Sequence, residues 1–132
     1  MIRFVQILAL ILASPVAADI ITPRAPGGGD VGRMARHVQA VADAGDIVRI
    51  DERCASSCTL QLLVGCVTPD ARLGFHAPHV IEGPATAELW ARLIAAHYPP
   101  QMAQWYLDGP AGRAWMTWID GRQAVAMGAT PC

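Results

Sequence analysis

The chain has 132 residues, enough for one domain and too few for two of ordinary size. Its 10 basic and 11 acidic residues give a formal charge of −1, and no basic cluster stands out, which argues against nucleic acid as a partner. All the basic residues are arginines, so mechanisms that need a lysine base or a lysine Schiff base are excluded.

The N-terminus has the pattern of a secretory signal peptide over residues 1–18. Arg3 supplies a positive charge, residues 4–13 form an apolar stretch, and small residues precede a cleavage point after Ala18. The apolar stretch is short for a membrane span, so we predict a periplasmic or secreted protein. Membrane attachment is expected only if the segment stays uncleaved. The mature chain, residues 19–132, is predicted to form a single domain.

The mature chain is predicted to begin with a very short strand over residues 20–22. A loop rich in proline and glycine follows over residues 23–29, and its glycines permit positive φ angles. Asp30 can cap a helix over about residues 31–44, which Gly45 would end. These signals are local and indicate one well-bounded helix behind a flexible turn.

The middle of the chain is predicted to place two strands around a short turn and a helix. The first strand covers residues 47–51, and a helix runs from the turn at Ser56 through Val64. The second strand covers residues 71–75 and leads into His76. Serine and histidine are thereby placed at the ends of successive strands.

The remainder is predicted to be mainly helical. Thr86 can cap one helix, and the prolines at 99–100 would stop it and start another. Asp120 and Gln123 resemble a capping box for a short closing helix. The whole order of strands and helices predicts an α/β fold with parallel strands.

Four cysteines fit an oxidising compartment and predict disulfide bonds. They are Cys54, Cys58, Cys66 and Cys132. Sequence allows three pairings. We favour Cys54–Cys58 with Cys66–Cys132, because the second bond would fix the C-terminal residue to the core. The spacing of Cys54 and Cys58 is one residue longer than the usual redox motif, which argues against thiol-redox chemistry.

The turn at Ser56 carries the main functional hypothesis. A serine between a strand and a helix lies where unpaired N–H groups and the helix dipole can hold a developing oxyanion. Histidine titrates near neutral pH and can take the serine proton. Ser56 and His76 are therefore predicted to be nucleophile and general base.

Three fragments, in their order along the chain, resemble the proteolytic subunit of the Clp protease and its exported relatives in the Clp/crotonase superfamily. The fragments are Pro26-Gly27-Gly28, Cys54-Ala55-Ser56-Ser57 at the start of a helix, and Gly74-Phe75-His76-Ala77-Pro78. In that family a Pro-Gly-Gly loop opens a helix, an Ala-Ser-Met turn carries the nucleophile, and a His-Gln-Pro segment carries the base. Residues 123–128 also resemble its Glu-Ala-x-x-x-Gly helix, so the resemblance covers roughly residues 20–128.

This resemblance implies a Clp/crotonase-like parallel sheet with ββα-type units, truncated at its N-terminus. It implies an exported serine hydrolase, a peptidase acting on peptide or protein substrates without cofactor or metal. Ser56 would be the nucleophile and His76 the base. The N–H of Ser57 and one from Gly27 or Gly28 would form the oxyanion hole. The truncated sheet would leave an exposed edge, which favours a partner chain or a homo-oligomer.

The chain departs from the family at the third catalytic residue. The family's Asp falls at residues 115–117, which read Trp-Met-Thr here. Asp120 is the candidate third member, although it can also be a simple helix cap, and Asp108 and Glu82 are other candidates. This departure supports an alternative, a catalytically inactive Clp-like module for peptide binding or assembly. A small disulfide-stapled structural domain is a third interpretation.

Each candidate residue also has a plain structural interpretation. Ser56 can be a helix cap beside a disulfide, and His76 a strand-end histidine bonded into the core. His79 is a substitute base. Cys54, Cys58 and the two histidines could instead bind zinc, but an oxidising compartment favours disulfides.

Overall fold

The structure, a computed structural model, describes residue 12, residues 17–80 and residues 83–132. Most of the predicted signal peptide therefore lies outside the described residues. In chain order the elements are β1 (Ile20–Ile21), α1 (Val31–Ala44), β2 (Ile47–Ile50), β3 (Arg53–Ala55), a 3-10 helix (Ser56–Val64), β4 (Gly65–Val67), β5 (Arg72–Phe75), α2 (Pro84–Ala95), α3 (Pro100–Asp108), a 3-10 turn (Pro110–Gly112), β6 (Thr117–Asp120) and α4 (Gly121–Ala126).

The strands form two three-stranded sheets, in the orders β1-β2-β4 and β3-β5-β6. Every pair in the first sheet is parallel, and so is β3 with β5. The α/β prediction is thus confirmed, but the prediction of parallel strands is wrong for β6, which pairs antiparallel with β5. Helices α2 and α3 return the chain to the end of β5 where it left, as the bond from Ala77 N–H to the Arg113 carbonyl shows. The next strand can then only run back along β5.

Helix α1 was predicted with the correct ends, because its signals are local. The Asp30 carboxylate accepts a hydrogen bond from the Arg33 N–H, and Gly45 ends the helix with φ 71°. Its buried face, made of Met34, Val38 and Val41, packs on the 3-10 helix. Burying a side chain of this size stabilises the fold by about 1.5–3 kcal/mol.

Three local predictions need correction. The segment after Ser56 is a 3-10 helix rather than an α-helix, and the Thr59 hydroxyl bonds back to the Ser56 carbonyl at a spacing of three residues. Helix α2 begins at Pro84 with Gly83 as its cap, not at Thr86, because proline is preorganised for the first helical position. Strands β3, β4 and β6 were not predicted, since they are only three or four residues long.

Both favoured disulfides are confirmed, Cys54–Cys58 and Cys66–Cys132. The second holds the C-terminus against β4, where the Val67 N–H donates to the Thr130 carbonyl. Two disulfides are compatible with an oxidising compartment. Within the described residues, every helix is too short or too polar to cross a bilayer.

Candidate active site

Ser56 and His76 meet although 20 residues separate them. Ser56 follows β3 and His76 follows β5, and these neighbouring parallel strands are in register, with Ala55 opposite Gly74. Their carboxyl ends therefore lie side by side. The Ser56 Oγ and the His76 Nε2 are 2.8 Å apart, a hydrogen-bond distance.

The second ring nitrogen of His76 fixes the tautomer. The Nδ1 atom lies 2.6 Å from the carbonyl oxygen of Ala77. A carbonyl oxygen can only accept, so Nδ1 carries the proton and donates it there. The Nε2 atom of the neutral ring is then the acceptor for the Ser56 hydroxyl. This is the protonation state in which an imidazole can act as general base towards a serine.

The Ser56 turn, residues 53–59, holds the serine in an unusual backbone conformation. Ser56 has φ 58°, in the left-handed region that costs a residue other than glycine about 1–3 kcal/mol. The Cys54–Cys58 bond closes the turn on both sides of the serine. A serine presented on a sharp strand-to-helix turn is the arrangement that α/β-hydrolases use for their nucleophile.

Two buried tyrosines hold the backbone behind the pair. The Tyr106 hydroxyl donates to the His76 carbonyl oxygen at 3.0 Å. The Thr59 hydroxyl donates to the Ser56 carbonyl oxygen and lies 2.6 Å from the Tyr98 hydroxyl, which donates to it in turn. Burial raises the pKa of Tyr106 to about 12 and raises the pKa of Tyr98 further, although the hydrogen bond with Thr59 opposes the latter. Both hydroxyls therefore remain protonated donors throughout the physiological range. Neither role is indicated by the sequence pattern, because both contacts are long-range.

The glycine loop, residues 26–29, packs directly on Ser56. A β-carbon at Gly28 would lie 2.7 Å from the Ser56 Cβ, and Gly28 has φ 100°, so only glycine fits there. Its own N–H donates to the Ala25 carbonyl and is already in use. Gly27 is exposed, and a β-carbon on it would meet nothing within 4 Å. The glycine of this loop that lines the cavity beside Ser56 is Gly29, which the sequence did not single out.

A buried glutamine anchors the start of this loop. Gln61 is fully buried, accepts a hydrogen bond from the Arg24 N–H and donates one to the Arg24 carbonyl. A polar side chain inside the apolar run around Leu60 was the available signal, since buried amides need partners. The loop is fixed relative to the helix that follows the serine.

A cavity of about 370 Å³ opens beside the Ser56 hydroxyl and the His76 ring. Its apolar walls are Val31, Leu60, Phe75, Trp90, Ile94 and Tyr98. Ser57 also lines it, so the residue that follows the serine faces the same space. The cavity can receive an apolar group attached to a carbonyl that reaches the serine.

No carboxylate in the described residues contacts the His76 ring, whose two hydrogen bonds go to Ser56 and Ala77. Asp120 caps α4 by accepting from the Gln123 N–H, and it lies opposite Arg72, at the far end of β5 from His76. Asp108 accepts a hydrogen bond from the Gln104 side chain on an exposed helix face. Glu82 lies outside the described residues.

The remaining candidates occupy other positions. His79 is exposed and lines the cavity, but the ring that bonds the Ser56 hydroxyl is that of His76. Cys54 and Cys58 are bonded to each other, so their sulfurs are not thiolates that could bind zinc.

Two comparisons with known proteins identify no relative of this chain. No family model matches the sequence, and a search of curated proteins finds no significant match. The relationship to the Clp/crotonase superfamily accordingly stays a prediction based on the three fragments.

Proposed function

We propose that the mature chain is an exported serine hydrolase of the Clp/crotonase type, a peptidase that acts through Ser56 and His76. The observation that carries the proposal is the 2.8 Å contact between Ser56 Oγ and His76 Nε2, in the tautomer that accepts the serine proton. Neither residue is fully buried, so a substrate can reach both.

The proposed reaction follows from this geometry. Ser56 Oγ attacks the substrate carbonyl while its proton passes to His76 Nε2, and the carbonyl π electrons move to oxygen. His76 then gives the proton to the leaving amine, and a water molecule hydrolyses the acyl-enzyme by the same steps. The Ala77 carbonyl keeps the imidazole oriented throughout. The backbone N–H of Ser57 stabilises the oxyanion, and the N–H of Gly28 does not add to it because it is bound to the Ala25 carbonyl.

The position of the substrate follows from the surroundings of Ser56. We expect a peptide to lie beside residues 26–29, with an apolar side chain in the cavity next to the serine. We expect no nucleic-acid partner, because the formal net charge is −1.

A fluorophosphonate probe tests the nucleophile directly. The mature chain contains two serines, Ser56 and Ser57, so mass spectrometry of the labelled protein gives an unambiguous answer. We expect one adduct, on Ser56, that is absent in Ser56→Ala and forms far more slowly in His76→Ala. Ser57→Ala keeps Ser56 and should still acquire the adduct at the end point of a long incubation. An adduct that persists in Ser56→Ala would show that Ser56 is not the nucleophile.

A second function has one observation in its favour. The partner of His76 Nδ1 is a backbone carbonyl rather than a carboxylate, and loss of the carboxylate slows a triad enzyme by about 10⁴-fold. The chain would then be a peptide-binding or assembly module on the same fold. Peptide binding without turnover, with the same affinity in Ser56→Ala, would favour this function, whereas measurable hydrolysis that requires Ser56 would exclude it.

We also propose export and self-association. Export follows from the predicted signal peptide and fits the two disulfides. Self-association is supported by an exposed apolar groove beside β1 and β2, where Ile20 is 69% exposed, Ile47 41% and Leu63 58%. Sedimentation of the mature protein, compared with Leu63→Glu, tests it. A wild type that stays monomeric at high concentration would rule it out.

A further inference from the structure

The side chain of Ser57 is buried without a partner. Only 2% of its surface is exposed, and its Oγ has no hydrogen bond to any group in the described part of the chain. Burying a hydroxyl in this state costs about 1–3 kcal/mol. Ser57 also lines the cavity that contains Ser56 and His76. An unpaired polar group beside a reactive pair indicates a place where a substrate supplies the missing partner.

The surroundings of this hydroxyl restrict what that partner is. A β-carbon on Gly29 would lie 4.0 Å from the Ser57 Oγ, so the hydroxyl faces the glycine loop across a narrow gap. A hydroxyl and the backbone N–H of the same serine are separated only by the α- and β-carbons, so both can reach one oxygen atom. The Ser57 N–H belongs to the first turn of the 3-10 helix, whose N–H groups have no partner within the helix.

The loop offers fewer donors than the resemblance implies. The N–H of Gly28 is bound to the Ala25 carbonyl, and Gly27 is exposed and is not among the residues that line the cavity. An oxyanion beside Ser56 would therefore receive less support from the loop. A further donor that is already buried and unpaired needs little reorganisation during the reaction, and such donors stabilise a transition state most strongly.

We infer that the Ser57 hydroxyl is a catalytic group that completes the oxyanion hole. This inference rests on the proposed function. As the bond from Ser56 Oγ to the acyl carbon forms, the carbonyl π electrons become a lone pair on oxygen and the serine proton passes to His76 Nε2. The negative oxygen accepts one hydrogen bond from the Ser57 N–H and another from the Ser57 Oγ–H. Collapse of the adduct returns the electron pair to the carbonyl and expels the leaving group.

Steady-state kinetics of Ser57→Ala on the mature protein test the inference. With a chromogenic ester and a fluorogenic peptide as probes, we expect kcat to fall about 100-fold and KM to stay within about twofold, because an oxyanion-hole donor acts only on the transition state. Ser57→Thr retains the hydroxyl and should recover most of kcat. Ser57→Cys, a weaker donor, should lie between Thr and Ala.

Other outcomes overturn the inference, and they separate it from the proposed function. An unchanged kcat in Ser57→Ala, or an effect on KM alone, would show that the hydroxyl does not act on the transition state. A loss of kcat that Thr and Cys both fail to recover, with a lower melting temperature, would show a purely structural role. In these cases turnover that requires Ser56 leaves the proposed function intact. Wild-type protein with no turnover at all overturns both.

Discussion

Two disulfide-bonded regions of this chain differ in their backbone strain and in the pairing of their polar groups. In the C-terminal segment, residues 128–132, Cys132 bonds to Cys66, and backbone hydrogen bonds join both sides of Val67. In the Ser56 turn the disulfide encloses a residue with φ 58° and a buried hydroxyl without a partner. The first region is joined to β4 by these bonds, whereas the second combines backbone strain with an unpaired buried hydroxyl beside the cavity. Such features persist only where the surrounding structure enforces them.

Removing the long-range disulfide should have the largest effect on stability. It joins residues 66 positions apart, so Cys66→Ala/Cys132→Ala should lower the free energy of unfolding by about 4 kcal/mol, since the unfolded chain gains freedom. Urea unfolding measures this loss. Activity per folded molecule should hardly change, and a fall in kcat larger than the unfolded fraction explains would contradict the purely structural role.

Removing the short disulfide should have a smaller effect on stability and a larger effect on activity. It spans only 4 positions, so Cys54→Ala/Cys58→Ala should cost about 2 kcal/mol by the same loop-entropy argument. Since the bond closes the strained turn, we expect kcat to fall at least about tenfold, equivalent to 1.4 kcal/mol of transition-state stabilisation. The Cys66/Cys132 variant, assayed in parallel, is the control. Equal kcat values in the two variants would mean that the turn keeps its geometry without its disulfide.

Substitution of Asp120 tests whether this carboxylate acts as a helix cap or as the third catalytic residue. Its side chain accepts from the Gln123 N–H, so Asp120→Ala should lower the free energy of unfolding by about 1 kcal/mol. Gln123→Ala, which breaks the other half of the capping box, is the matched control. We expect kcat to change less than about twofold in both, whereas a triad carboxylate would cost about 10⁴-fold. A large loss of kcat in Asp120→Ala alone would reinstate it as the third member.

Lowering the pH should reduce the free energy of unfolding through His37 on helix α1. This is the smallest of the expected effects. The pKa of His37 is lowered by burial and by the nearby positive charge of Arg24. The unfolded state therefore binds a proton more readily than the folded state, and the stability from His37 is lost as the pH falls below about 6.5. Urea unfolding at several pH values should show a shallower acid decline in His37→Gln than in wild type. His97→Gln, on the exposed side of the helical region, is the control, and an equal change in both variants would exclude His37 as the source.

The sequence pointed to Ser56 and His76, the two residues that meet in the site, but not to most of the contacts that surround them. The proximity of Ser56 and His76 was predicted from successive parallel strands, because such strands end at the same edge of a sheet. The strand that carries Ser56 is nevertheless β3, which the sequence pattern did not indicate, whereas the predicted strand 47–51 is β2 of the other sheet. The roles of Gly29, Tyr98 and Tyr106 could not be anticipated, since each acts through a contact between segments far apart in the chain. Gln61 had a signal, as a polar residue in an apolar run, but its partner Arg24 is decided by packing. Asp120 was ambiguous because a capping carboxylate and a catalytic one are the same residue type, and only position tells them apart.

The amino-acid sequence by itself determined helix α1 and its two caps, and the capping box of α4. These features depend on residues within one or two turns of each other, where periodicity and side-chain hydrogen bonds decide the conformation. Tertiary structure alone decided the antiparallel return of β6, the tautomer of His76 and the unpaired hydroxyl of Ser57. The path of β6 and the unpaired state of Ser57 depend on which distant groups lie within hydrogen-bond reach. The tautomer depends on how packing turns the His76 ring between the neighbouring Ala77 carbonyl and the distant Ser56 hydroxyl.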